Sequence, residues 1–193
     1  MSLFVRKESP PRLDHHQDYR PFLRRDFCCR CAYCERTEAF LGGEESFEID
    51  HFKPVHTFES AGQATYYENL YYSCAKCNRY KGGVWPSPRM VAQGLRFADP
   101  CREDMYQEHI RETPDGTLNV LTSCGRYTCQ HIRLDRPSLM AWRRMKLEKA
   151  EERRQLEQLK SMLELELSNP EQMRPNVAAL NAVISDIKRR FAI

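Results

Sequence analysis

Two Cys-x-x-Cys turns, Cys31-Ala-Tyr-Cys34 and Cys74-Ala-Lys-Cys77, set the strongest limit on how this chain folds. Each turn presents two thiols from one short loop. Thiolates are soft ligands, so two such turns brought together make a closed tetrahedral site of the kind that holds structural zinc. The nine cysteines are an odd number, which argues against a disulfide framework. The start, Met1-Ser-Leu-Phe-Val-Arg-Lys-Glu, turns charged before the apolar stretch of a signal peptide forms. The expected address is therefore the cytoplasm, where thiols stay reduced. Cys28-Cys-Arg-Cys31 is an overlapping choice for the first pair, and spacing alone does not exclude Cys28. Cys34 is preferred because Ala32-Tyr33 within the turn and Glu35-Arg36 after it continue into the following structure. The assigned ligands are Cys31, Cys34, Cys74 and Cys77; a redox dithiol would leave one pair unexplained. With four protein ligands no coordination position stays open, so this zinc is expected to hold the fold and do no chemistry.

The 193 residues suffice for one compact domain with an appendage, or for two small units packed together. No apolar run approaches the roughly 20 residues needed to span a bilayer. The chain reads as α+β in four stretches. Residues 1–27 form a basic, poorly ordered arm with Pro10, Pro11 and Pro21 among arginines, then a short helix near 19–26; His15 and His16 read as surface histidines. Residues 28–96 hold the cysteine turns, a strand at Phe47-Glu-Ile49 delivering Asp50 and His51, a second strand at 69–73, and a helix at 75–80 stopped by Gly82-Gly83. Residues 97–137 are a mixed accessory region, with a hairpin about Asp115-Gly116 and a helix over 127–134. Its thiols, Cys101, Cys124 and Cys129, are too loosely spaced to suggest a second metal site. Residues 138–193 read as a helical hairpin: a long helix capped by Ser138, charged in its middle and striped by Leu156, Leu159, Leu163 and Leu167, then an amphipathic helix carrying Val177, Leu180, Ile184, Ile187 and Phe191.

A net charge of +3 does not by itself mark a nucleic-acid binder. Its distribution does more: residues 69–98 contain Lys76, Arg79, Lys81, Arg89 and Arg96 and no acid, with Tyr71, Tyr72, Tyr80 and Trp85 interleaved. Tyr71 has the position of a core strand residue. Between and beside the cysteine turns stand Asp50-His51, Asn69 and Asn78, which a zinc held by both turns would draw together. One carboxylate from Asp50, one carboxamide oxygen from Asn78 and water make a hard, oxygen-rich site suited to Mg²⁺ or Mn²⁺. A neutral His51 beside it can take a proton from water. Glu48 and His56 are rival metal groups.

Four segments in order, Cys-Ala-Tyr-Cys, Ile-Asp-His-Phe-Lys-Pro, Glu-Asn-Leu-Tyr-Tyr-Ser-Cys and Lys-Cys-Asn-Arg-Tyr-Lys-Gly, together resemble an HNH endonuclease over roughly residues 31–83. The resemblance implies a ββα-metal module, two strands and a helix about one divalent ion, here stapled by the four-cysteine zinc. It implies that Asp50 holds the ion, His51 is the general base, Asn69 pins the loop carrying His51, and Asn78 fills the final metal position, often His in that family. The implied substrate is DNA, with Lys53, Arg79 and Lys81 as phosphate contacts. Compact members with extensions resemble effectors of anti-phage defence or restriction, working beside a partner such as a defence-system ATPase. A zinc-ribbon module that binds nucleic acid or protein without cutting is the competing reading.

Overall fold

The computed structural model describes residues 4–6, 10–167, 182, 183, 185, 186 and 189. The apolar stripe expected on a second C-terminal helix, Val177, Leu180, Ile184, Ile187 and Phe191, lies outside the described residues. The chain divides into two units, Met1–Arg144 and Met145–Ile193.

In the first unit a 3-10 turn, His16–Tyr19, leads into α1 (Arg20–Asp26), where Pro21 suits the first turn because its missing N–H needs no partner there. Next comes α2 (Glu38–Leu41), capped by the Thr37 hydroxyl, which accepts from the Phe40 N–H. Strand β1 (Phe47–His51) is followed by the short α3 (Ala61–Ala64), then β2 (Leu70–Cys74), which runs directly into α4 (Ala75–Lys81). Strands β1 and β2 pair antiparallel, with Phe47 opposite Cys74, Asp50 opposite Tyr71 and His51 opposite Leu70. Every residue of β2 is buried, because packing covers both its faces. Phe47 stacks on Tyr72 at 4.7 Å and Phe52 on Tyr71 at 4.8 Å.

Beyond these lie α5 (Pro88–Ala92), a π-helical turn Met105–His109, and the hairpin of β3 (Ile110–Glu112) and β4 (Leu118–Val120). The expected Asp115-Gly116 turn joins the two strands, with Gly116 in the left-handed region at φ +82. Helix α6 (Ser123–Ile132) starts earlier than its composition indicated, because the Thr122 hydroxyl accepts from the Gly125 N–H at 3.0 Å and caps it. Gly125 is required there: a Cβ would sit 2.2 Å from the His109 carbonyl oxygen. Helix α7 (Pro137–Leu167) begins at Pro137, so Ser138 lies inside its first turn and is not the cap expected of it.

Described residues of the N-terminal stretch, expected as a basic arm and short helix, reach into the core. Phe4, Tyr19, Leu23 and Phe27 belong to the same core as the zinc cysteines and β2. The Arg6 guanidinium lies over the rings of Phe27, Tyr67 and Tyr71, at 4.8 to 5.6 Å from their centroids. In the second unit, residues 148–158 of α7 are exposed, as their charge demands, and Leu159 and Leu163 are half-buried.

Candidate active site

Cys31, Cys34, Cys74 and Cys77 are all buried, and their sulfurs lie within 4.8 Å of one another. A zinc–sulfur bond of about 2.3 Å implies a tetrahedral edge of about 3.8 Å, and Cys34 Sγ and Cys74 Sγ are 3.9 Å apart. Four soft donors at that spacing fit zinc. Cys28 is exposed and outside the cluster. Two backbone bonds shape the first turn: the Cys31 N–H donates to the Arg36 carbonyl at 3.0 Å and the Glu35 N–H to the Cys31 carbonyl at 2.9 Å, with Glu35 at φ +58. The Ala32 N–H donates to the Tyr72 carbonyl at 2.8 Å and ties the turn to β2. Burial pushes the Cys31 thiol well above its ordinary pKa, so positive charge is needed to hold thiolates here. Part of it comes from Arg136, whose Nη2 donates to Cys77 Sγ at 3.1 Å.

The side chains of β1 and α4 meet in two rungs. Glu48 and Asp50 share one strand face, and Asn78 and Lys81 share one helix face. At the exposed rung, Asn78 Nδ2 donates to Glu48 Oε2 at 2.6 Å. At the buried rung, Lys81 Nζ donates to Asp50 Oδ1 at 2.9 Å and to the His51 carbonyl at 2.8 Å. The Tyr33 hydroxyl, from inside the first cysteine turn, donates to the other Asp50 oxygen.

Two of the expected site residues are more enclosed than their sequence positions indicated. Lys81 has 0% side-chain exposure and is committed to Asp50, so it does not reach a phosphate. Asp50, expected as an open metal carboxylate, has both oxygens engaged by protein donors. Among the described residues, the Asn78 side-chain oxygen Oδ1 and the second Glu48 carboxylate oxygen are left without a hydrogen bond. Of the other phosphate candidates, Arg79 is exposed on α4, and Lys53 is half-buried with Nζ 4.5 Å from the Phe58 ring centroid.

Asn69 sits at the end of a 3-10 turn, Tyr67–Asn69, just before β2. Its Oδ1 accepts from the Lys53 N–H at 2.8 Å, and its Nδ2 donates to the carbonyls of Lys53 at 3.0 Å and Ala64 at 2.9 Å. It thus clamps the backbone two residues past His51. The His51 ring is half-buried, and its Nε2 is shielded from solvent without a protein hydrogen bond. Burial lowers its pKa, and the neighbouring His16 and Lys81 add to that against the opposing Asp50 charge. The ring is therefore neutral at neutral pH. His16 lies 5.0 Å away between ring centroids, a contact that the polar, Pro-flanked sequence around it did not signal.

A second cluster also escaped the sequence reading. Glu103, His109 and Cys124 bring their ligand atoms within 4.8 Å. Glu103 is already engaged by Arg96 at 2.5 and 2.8 Å, by the Asp99 N–H and by His109 Nε2, and His109 Nδ1 meets Thr122 Oγ1. Hydrogen bonding accounts for this cluster without an ion.

The HNH endonuclease family model matches residues 31–83, well under half of the chain. The matched stretch runs from the first zinc cysteine through α4, so the module is HNH-like in sequence and in its strand, strand, helix order. Nuclease activity in general, a nucleic-acid substrate and a divalent metal go with that family. No curated protein matches the chain. No helix among the described residues is long and apolar enough to cross a membrane.

Proposed function

We propose that the chain is a Mg²⁺- or Mn²⁺-dependent endonuclease that hydrolyses phosphodiester bonds in DNA, with His51 as general base. The observation that carries this is the His51 imidazole: neutral, its Nε2 without a hydrogen-bond partner among the described residues, and set at the end of β1 within the HNH-like module. Its backbone is held by Lys81 at its own carbonyl and, two residues on, by Asn69 at Lys53. In this reading the imidazole accepts the proton of the attacking water.

Glu48 and Asn78 are the pair fitted to hold the ion, since they offer hard oxygens at an exposed rung while Asp50 is closed off. A divalent ion held there supplies positive charge beside the scissile phosphate. Arg79 and Lys53 are the phosphate contacts in this reading. Asp50 acts as a positioning residue through Lys81. Work as the effector of an anti-phage or restriction system beside an ATPase belongs to the same proposal and rests on family resemblance alone.

The engagement of Asp50 also favours a second reading, a binding module that no longer cuts. Plasmid incubated with Mn²⁺ separates the two. Cleavage is expected, with a rate about 10² to 10⁴ lower in His51→Ala and with zinc content unchanged. No cleavage, or equal cleavage by His51→Ala, would overturn the assignment.

A further inference from the structure

Among the aromatic residues interleaved with the basic stretch, Tyr71 and Tyr72 are core, and Tyr80 lies under Arg133 and Arg136. Trp85 has a different position. It lies half-buried beside an open cavity of about 390 Å³, walled also by Phe52, Phe97 and Val91. Phe52 meets Trp85 edge-on at 5.5 Å, and Phe97 lies 6.2 Å from Trp85 at an interplanar angle of 31°. The three rings pack on one another and together give one wall of the cavity an aromatic surface. Asp99 and Arg102 also line it, one an acceptor and one a donor, and the Arg102 side chain is 83% exposed.

We propose that this cavity receives an unstacked nucleobase of the substrate strand. A base asks for aromatic faces together with both donors and acceptors at one edge, and that is what the cavity offers. The charge around it suits the attached phosphates. The acids in the lining are each paired, Glu103 with Arg96 and Asp99 with Arg102, while exposed Arg89 and half-buried Lys53 stand nearby in sequence with no acid between Asn69 and Ala98. Phe52, one wall of the cavity, directly follows His51 in sequence. The inference rests on the nuclease reading and deepens it: the preferred substrate carries an unpaired or extruded base beside the scissile phosphate.

The test uses the full chain in a His51→Ala background, with fluorescence anisotropy on a paired duplex and on the same duplex with one unpaired adenine. Trp85→Ala, and Val91→Trp at the exposed rim where folding is not at risk, are expected to weaken bulged-duplex binding about tenfold or more. Paired-duplex binding should stay unchanged. Trp85→Phe should retain bulge binding while losing the fluorescence quench that the bulged duplex causes. Equal effects on both duplexes, or none, overturn the proposal, as does a change of oligomeric state in Val91→Trp with DNA binding intact. If the chain cuts plasmid yet ignores the bulge, the cavity assignment alone fails; if neither duplex binds and no plasmid is cut, the nuclease reading fails with it.

Discussion

Lys81 is the residue whose role differs most between sequence and structure. In a run of basic residues it has the look of a phosphate contact, yet it is enclosed against Asp50 and the His51 carbonyl. Removing one partner of a buried ion pair strands the other charge, at a cost of about 3 to 5 kcal/mol. Lys81→Met should therefore lower the melting temperature strongly, and adding Asp50→Asn should recover part of the loss; thermal denaturation of the three proteins checks this. An unchanged melting point in Lys81→Met would refute the structural role. Why the sequence hid it is plain in physical terms. Strand alternation places Glu48 and Asp50 on one face, but which of them meets solvent depends on where Asn78 and Lys81 fall along α4, and only packing sets that. His16 was hidden for a similar reason, since its contact with His51 joins parts of the chain distant in sequence.

At the level of elements, periodicity and turn chemistry revealed β1, β2 and α4 within a residue or two, because cysteine turns and the Gly82 stop punctuate them. The ends of α6 and α7 were less legible, since Thr122 and Pro137 are ordinary residues whose capping roles depend on local backbone geometry. The loop from Arg96 to His109 is held by Glu103. Burial opposes ionisation of this carboxylate, but the bonds from Arg96, the Asp99 N–H and His109 outweigh it and hold its pKa down to about 2. A carboxylate with a lowered folded pKa adds stability that is fully present above its unfolded value, about 4.3 for Glu, and is lost as pH falls from there toward 2. Glu103→Gln should melt lower than the parent chain at pH 6, and the gap should narrow between pH 4.5 and 3. A constant gap across that range would count against the ionic account.

Across the whole molecule, the four-cysteine cluster closes the loop that contains β1 and joins it to the end of β2 and the start of α4. Structural zinc in small modules contributes about 10 to 16 kcal/mol of apparent folding energy. Cys74→Ser should lose bound zinc and the cooperative melting of the unit Met1–Arg144. Metal analysis and calorimetry read both, and intact zinc with unchanged melting would remove the assignment. Four cysteines in two turns announced this knot in the sequence; the core around it, reaching to Phe4 and Leu139, did not show in any single pattern.

The enclosure of Lys81 has a consequence for amine chemistry. An ammonium with no solvent exposure, held between a carboxylate and a carbonyl, is out of reach of acylating reagents that modify surface lysines such as Lys76 on the same helix. Lys81 thus serves as an internal reporter: its labelling, read by mass spectrometry against that of Lys76, follows how often α4 parts from β1, and so how often the platform beneath His51 comes apart.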